Sequence, residues 1–273
     1  MSLGNTAVRV IVAIVAIPAL VLLSYLGGVY FLGFVLVIAG ISFYEFAIMA
    51  KVKGANVNVN IGIIGLIFFI LNSYRFLFNS YHFAIAFLII LLLFELFRNN
   101  GSAILNVGTT MLGVFYLGVF GSTLVGIREL YPNIDGLYNN GGYLIISIFA
   151  SIWICDSAAF FGGTALGKHK LFPRVSPKKS WEGAIFGFTF AILAMILAKF
   201  LVLDFLTLKN ALIIGFIIGT FGQVGDLVES LFKRDAGVKD SSNLIPGHGG
   251  IFDRFDSLLF SSPIIYLYLT YLA

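Results

Sequence analysis

Long, almost uninterrupted apolar stretches run through this chain and constrain its fold more than any other feature. A transmembrane helix requires about 20 largely apolar residues. Only 11% of the 273 residues are charged and 59% are hydrophobic, whereas a soluble domain carries about 25% charged residues. We therefore predict an all-α integral membrane protein, a polytopic bundle of about nine transmembrane helices. The predicted spans lie near residues 8–26, 29–49, 60–77, 82–97, 104–126, 143–162, 183–202, 210–231 and 257–272.

The distribution of basic residues predicts how the chain is oriented in the membrane. Most of the 17 Lys and Arg residues fall before the first predicted span or in every second loop after it. Because basic residues accumulate in cytoplasmic loops, the N-terminus is expected in the cytoplasm and, with nine spans, the C-terminus outside. The formal net charge of +4 is then explained by basic residues of the cytoplasmic loops, which attract anionic phosphate groups. No nucleic acid partner is expected.

Two loops on the predicted cytoplasmic side differ from the others in length and polarity. They cover residues 163–182 and 232–256, and both are rich in charge and glycine. Functional residues concentrate in such connecting segments. We therefore divide the chain into N-terminal transmembrane spans, residues 1–142, and a C-terminal catalytic membrane domain, residues 143–273, which contains both loops.

Carboxylates at membrane depth point to function by default, because an ionisable group there is disfavoured by a few kcal/mol. Two of them have an adequate local explanation. Glu45 lies close to Lys51 at a predicted cytoplasmic span end, where a snorkelling or paired carboxylate is expected. The same interpretation applies to Glu95, which lies close to Arg98.

Asp226 has no obvious cation near it in the sequence. It follows Gly219, Gly222 and Gly225, whose spacing leaves bare backbone along one helix face. That pattern predicts close packing against a neighbouring helix. Packing does not account for the carboxylate itself, which a metal ion could satisfy.

Asp253 and Asp256 stand three residues apart in IPGHGGIFDRFDSLLF, residues 245–260, just before the last apolar stretch. If the last helix begins near residue 252, both point the same way. One of them is explained as a helix N-cap, whereas two, together with Asp226, favour a metal site. Carboxylate oxygens suit Mg²⁺, which takes one or two carboxylates and completes its shell with water and substrate phosphates. Asp156 is a weaker candidate ligand.

Basic residues and glycines surround these acids and predict a polyphosphate site. Glycine lets backbone N–H groups approach a phosphate, and the cations neutralise its charge, although membrane topology alone also explains much of the positive charge. His248 is equally compatible with contacting phosphate and with shaping its loop. The candidate residues are Lys178, Lys179, Lys233, Arg234, Lys239, Arg254, Gly249 and Gly250.

The segment SLFKRDAGVKDSSNLIPGHGGIFDRFD, residues 230–256, resembles the signature of phosphatidate cytidylyltransferases, the CDP-diacylglycerol synthases. The upstream segments CDSAAFFGGTALGKHK and SPKKSWEG look like other blocks of that family, whereas the N-terminal half matches only as hydrophobic spans. No position of the signature departs from the pattern. The matching residues are Ser230, Lys233, Arg234, Lys239, Asp240, His248, Gly249, Gly250, Asp253, Arg254 and Asp256.

The resemblance implies a reaction, in which phosphatidate and CTP give CDP-diacylglycerol and pyrophosphate with Mg²⁺. Nucleotidyl transfer can use two metal ions, so a second ion is compatible with it. The residues expected in metal binding are Asp226, Asp253, Asp256 and, more weakly, Asp156. Lys233, Arg254 and His248 are expected to act in catalysis beside these aspartates. Those expected to bind substrate are Lys178, Lys179, Arg234, Lys239, Ser230, Gly249 and Gly250.

The resemblance also implies a location for the enzyme, in the cytoplasmic membrane of a prokaryote with its active site on the cytoplasmic face.

Two other functions would use similar residues. A CTP-dependent lipid kinase needs the same metal and phosphate groups, and an ion-coupled transporter needs acids near the bilayer midplane. Helix faces of small residues are compatible with a homodimer. Which of Asp253 and Asp256 binds metal directly, and which caps the helix, stays open.

Overall fold

Helices make up most of the chain in the computed structural model, which describes residues 5–134, 136–242, 244 and 249–273, with side chains from residue 12 onward. The helices are α1 Asn5–Leu26, α2 Gly28–Val52, α3 Val59–Arg75, α4 Ser80–Arg98, α5 Ala103–Arg128, α6 Tyr138–Leu166, α7 Trp181–Leu201, α8 Leu208–Asp235 and α9 Phe252–Tyr271. An antiparallel hairpin of β1 Lys170–Phe172 and β2 Ser176–Ser180 joins α6 to α7. A π-helical stretch interrupts α5 at Val114–Val119 and α8 at Ile218–Gly222.

Six helices in the described part of the chain are, by length and composition, able to cross a membrane. They are α2, α4, α5, α6, α7 and α8, and they confirm the prediction of an all-α membrane protein. The other predicted spans fall on α1, α3 and α9. The apolar parts of α1 and α3 are shorter, Val12–Leu26 and Val59–Arg75, so the count of nine spans and the orientation of the termini stay predictions.

The predicted loop 163–182 is more ordered than its polar sequence indicates. Helix α6 continues to Leu166, and the hairpin occupies much of the remainder. Ser180 caps α7, since its hydroxyl accepts a hydrogen bond from the Gly183 amide at 3.2 Å. Glu182, in the first turn of α7, accepts from the Lys168 amide at 3.1 Å and contacts Nδ1 of His169 at 2.6 Å. These contacts hold the hairpin against the start of α7.

By packing, the described chain forms two compact units. Unit 1 consists of described residues within Met1–Leu23, Gly28–Gly126 and Phe232–Phe255. Unit 2 consists of those within Ser24–Gly27, Ile127–Leu231 and Asp256–Ala273. The units are defined by compactness, and they do not test the predicted functional division after residue 142.

Small residues allow the helices of unit 2 to approach closely. A Cβ atom added at Gly219 would lie 2.9 Å from the Cα of Phe188 on α7, and one at Gly225 would lie 2.8 Å from the carbonyl oxygen of Asp256 on α9. Real Cβ atoms are almost never found so close to backbone atoms. The predicted packing through glycine is therefore confirmed at these two positions of α8.

Aromatic side chains form much of the core of unit 1. Phe252, at the first position of α9, is fully buried and its ring lies 5.8 Å from that of Tyr116 on α5. Phe232, near the end of α8, lies 5.6 Å from the ring of Phe46 on α2. The segment between α8 and α9 therefore has an aromatic residue packed into unit 1 near each end, half-buried at Phe232 and buried at Phe252.

Candidate active site

Asp253, in the first turn of α9, accepts hydrogen bonds from several groups of unit 1. Its Oδ1 accepts from Nζ of Lys233 at 2.6 Å, and the two side chains are only 5% and 11% exposed. Its Oδ2 accepts from the amide of Ser241 at 2.9 Å, from the Ser241 hydroxyl at 2.8 Å and from the Gly250 amide at 2.8 Å. A carboxylate offers about four lone-pair sites, so these donors, of which the Ser241 hydroxyl is shared with Glu45, occupy most of its acceptor capacity.

The local structure explains the two glycines of the signature without a contact to phosphate. Gly249 has φ +84°, a left-handed conformation that favours glycine. A Cβ at Gly250 would lie 2.0 Å from the Ser241 hydroxyl oxygen. The Gly250 amide donates to Asp253, so that N–H serves the loop itself. His248, predicted to contact phosphate or to shape this loop, lies outside the described residues.

Glu45 on α2 has a different environment from the one expected. It is 2% exposed and accepts hydrogen bonds from the hydroxyls of Ser241 and Ser242 and from two backbone amides of the same segment. Lys51 is exposed, and the loop, rather than Lys51, explains the buried carboxylate. For Glu95 the expected partner is confirmed, because Nη1 of Arg98 lies 3.5 Å from its Oε2.

Unit 2 holds a second cluster of charged side chains, centred on Asp226 of α8. Its Oδ2 accepts from Nζ of Lys179 at 2.6 Å, and the Ser230 hydroxyl lies 3.3 Å from its Oδ1. Asp256 of α9 is buried and accepts from the Ser257 amide at 2.6 Å. Asp226, Asp156 and Lys179 all act electrostatically on Asp256. The cluster therefore contains Asp226 and Asp256, two of the four predicted metal ligands, and Asp156 is near enough to act on Asp256 electrostatically.

The local structure explains how Lys179 reaches Asp226. Successive side chains of a strand point to opposite sides, so in β2 Lys178 is exposed while Lys179 is half-buried against Asp226. Asp226 itself follows the π-helical stretch of α8. Such stretches occur frequently at functional sites. Ser230 lies one helical turn after Asp226 and therefore on the same face.

Four more basic residues of the predicted polyphosphate site, three predicted to bind substrate and Arg254 predicted to act in catalysis, lie on the surface. Lys178, Arg234, Lys239 and Arg254 are exposed, and Nη1 of Arg234 donates to the Val238 carbonyl at 3.0 Å. Asp156 on α6 is also exposed. The sequence analysis did not predict that Glu45 of α2 contacts Ser241 and Ser242 of the signature loop. The cost of burying a carboxylate was the only signal that could have found Glu45.

The carboxylates of unit 2 are suited to a divalent cation. Within the ranges that the structure describes, no three His, Cys, Asp or Glu side chains converge closely enough to hold a metal by themselves. Mg²⁺ requires only one or two protein carboxylates, since water and substrate phosphates complete its shell. Asp226 and Asp256 meet that requirement. Asp253 fits it less well, because four donors already occupy its oxygens.

Comparison with known proteins identifies the family of the chain. The sequence model of the Cytidylyltransferase family matches residues 7–272. A phosphatidate cytidylyltransferase of Staphylococcus haemolyticus (strain JCSC1435) is 37% identical over 181 residues, a match that covers 66% of this chain and 66% of that protein. Proteins of the same name are 33% identical over 262 residues in Staphylococcus aureus (strain COL) and 32% identical over 266 residues in Bacillus subtilis (strain 168). These matches cover 94% and 96% of this chain and 96% of each relative. Because the family model matches nearly the whole chain and relatives that are 32–33% identical cover at least 94% of it, the chain belongs to the cytidylyltransferase family.

Proposed function

We propose that this protein is a phosphatidate cytidylyltransferase, which transfers CMP from CTP to phosphatidate and releases pyrophosphate. The observation that carries the proposal is the match of nearly the whole chain to the cytidylyltransferase family and to bacterial relatives that bear this name. The acid cluster of unit 2, with Lys179 against Asp226, supplies groups that nucleotidyl transfer needs.

The reaction requires little covalent chemistry from the protein. The phosphate of phosphatidate is already a nucleophile near neutral pH, so no general base is essential. Its oxygen forms a bond to the α-phosphorus of CTP, and the bond from that phosphorus to the oxygen bridging the β-phosphate breaks. Pyrophosphate leaves with that oxygen. Such a transfer depends on positioning and on neutralising charge.

We assign Mg²⁺ to Asp226 and Asp256, with Asp156 as a further carboxylate for this ion or for a second one. Bound there, the ion would neutralise phosphate charge and orient the leaving group. Lys179 neutralises Asp226, and it is our first candidate for a cation that contacts substrate phosphate. Asp253 is assigned to holding the loop, because its oxygens already contact Lys233, two backbone amides and the Ser241 hydroxyl.

The exposed cations are assigned to the phosphate groups of CTP and of phosphatidate. They are Lys178, Arg234, Lys239 and Arg254. Phosphatidate keeps its acyl chains in the bilayer, so its phosphate is presented at the membrane border. We place the site on the cytoplasmic face of a bacterial membrane, where CTP is present, with the N-terminus also cytoplasmic. A homodimer is compatible with this arrangement.

Labelled CTP distinguishes this function from its rivals. Purified protein in lipid–detergent micelles is incubated with phosphatidate and CTP labelled at the α- or the γ-phosphate. We expect α-label, and no γ-label, in the lipid. Transfer of γ-label would identify a lipid kinase, and label from neither position would overturn the proposal in favour of a carrier.

The metal assignment is tested by Asp256→Asn, which keeps the shape of the side chain and removes its charge. We expect turnover to fall by about 10²–10³-fold while the protein stays folded. Asp204→Asn is the matched control, because Asp204 is an exposed aspartate in the connection between α7 and α8. Near wild-type turnover of Asp256→Asn at ordinary Mg²⁺ concentrations would refute the assignment.

A further inference from the structure

Glu45 is a buried carboxylate that the proposed chemistry does not use. It accepts hydrogen bonds at both ends of the segment 241–252. Its Oε2 accepts from the Ser241 hydroxyl at 2.9 Å and from the Phe252 amide at 2.8 Å. Its Oε1 accepts from the Ser242 hydroxyl and from the Ile251 amide, the latter at 3.1 Å. A side chain of α2 thus bridges the start and the end of the signature loop within unit 1.

We propose that Glu45 is a positioning residue for cytidylyl transfer, which holds this loop and sets the geometry of the Asp253–Lys233 pair. The first amide of α9 belongs to Phe252, so the carboxylate also lies at the positive end of the helix dipole. The anion is therefore stabilised by hydrogen bonds and by the helix, while the loop receives a fixed anchor.

Ser241 connects Glu45 to Asp253. Its hydroxyl oxygen lies 2.9 Å from Glu45 Oε2 and 2.8 Å from Asp253 Oδ2. A serine hydroxyl has one hydrogen, so the two carboxylates share one donor and a displacement of either affects the other. Asp253 in turn accepts from Lys233. The chain of contacts from α2 therefore ends on a cation of the family signature.

Gly250 gives independent support for the anchor. A Cβ atom at this position would lie 2.6 Å from both oxygens of Glu45. Any larger residue would therefore push the carboxylate away from the loop, and the second glycine of the HGG motif is needed for this contact. Gly250 and Glu45 are about 200 residues apart in the chain, but the contact between loop and carboxylate depends on both of them.

Glutamine cannot reproduce these contacts. Each oxygen of Glu45 accepts from one hydroxyl and from one backbone amide. A hydroxyl can turn and accept from the new NH₂ group, whereas a backbone N–H can only donate. Glu45→Gln therefore loses at least one backbone hydrogen bond, at Ile251 or at Phe252, while it keeps the size of the side chain.

The test compares Glu45→Gln with Glu95→Gln in the full-length protein. Glu95 is also a buried glutamate of unit 1, with Asn106 and Arg98 as partners, and it serves as the matched control. We expect faster hydrogen exchange at the Ile251 amide, at the Phe252 amide or at both in Glu45→Gln alone. We expect its kcat to fall by about 10–100-fold, the effect of a small misplacement of reacting groups, while Glu95→Gln keeps kcat near the wild-type value at a similar thermal stability.

Unchanged exchange at both amides would show that Glu45 does not hold the loop, and faster exchange with wild-type kcat would show that the loop position does not matter for transfer. If Glu45→Gln does not fold, Ser242→Ala removes one donor and keeps the carboxylate. It should raise exchange and lower kcat to a smaller extent, and no change in either would also overturn the inference. The inference rests on the proposed activity, but exchange is measured without CTP, so failure of the anchor and failure of the activity are distinguishable.

Discussion

Replacing Lys233 by methionine would remove the cation that faces Asp253 and leave a buried carboxylate behind. The two side chains are 11% and 5% exposed, and Nζ lies 2.6 Å from Oδ1. Removing one partner of a buried ion pair costs about 3–5 kcal/mol. Asp253 keeps three donors on Oδ2, so we expect the lower end of that range, about 3 kcal/mol.

The loss of stability can be followed through the single cysteine. Cys155 is 2% exposed, so its reaction with a thiol-specific dye during heating reports unfolding in detergent micelles. At about 2–4 °C per kcal/mol for a chain of this size, Lys233→Met should lower the unfolding midpoint by roughly 6–12 °C. Lys53→Met is the matched control, since the Lys53–Asp235 pair is 51% and 61% exposed and such pairs contribute about 0–1 kcal/mol.

A second substitution separates the buried charge from the rest of the site. In Lys233→Met/Asp253→Asn, the asparagine can place its NH₂ group beside the methionine, while its oxygen keeps the three donors on the other side. We expect the double variant to regain part of the lost stability, because a buried NH₂ group without a strong acceptor costs less than a buried unpaired charge. If it unfolds as early as Lys233→Met, or if Lys233→Met unfolds as late as Lys53→Met, the argument from the buried pair is wrong.

Two further predictions follow from close contacts in the structure. Gly250→Ala should lower both the unfolding midpoint and kcat, because overpacking costs about 1–3 kcal/mol and the new Cβ would displace Glu45; Gly40→Ala, where a Cβ meets nothing within 4 Å, should change neither. Arg128→Met should lower the unfolding midpoint but not the kcat of the folded protein. The fully buried Arg128 donates to the carbonyls of Ser24 and Tyr25 at the end of α1, at 2.6 and 2.7 Å, and an acceptor left without a partner costs about 1–3 kcal/mol.

The contacts divide the signature residues into two kinds. Gly249, Gly250, Asp253 and Lys233 form the loop of unit 1 through their own hydrogen bonds and close approaches. Ser230, by contrast, lies beside Asp226 in the acid cluster of unit 2. This division sharpens the question that the sequence left open, because Asp253 has the partners of a loop-holding residue and Asp256 is the aspartate with carboxylates near it.

The amino-acid sequence by itself determined the helices and the family. Apolar runs of span length predict α2 and α4–α8, because a helix satisfies its own backbone hydrogen bonds and its side chains then face lipid or neighbouring helices. The start of α9 at Phe252 agrees with the predicted start near residue 252. Glycine spacing in α8 predicted close packing, because bare backbone at these positions lets a neighbouring helix approach. All of these features are encoded within short segments.

Only the tertiary structure decided which charged groups meet. Lys179 and Asp226 are 47 residues apart, and Glu45 and Phe252 are 207 residues apart. Burial makes an unpaired carboxylate costly, so the sequence indicates that a partner must exist. It does not indicate which one, because the partner depends on how a hairpin or a loop is packed against a distant helix. The hairpin that carries Lys179 could not be predicted from the sequence for the same reason, because its short polar strands are ordered by contacts with the start of α7.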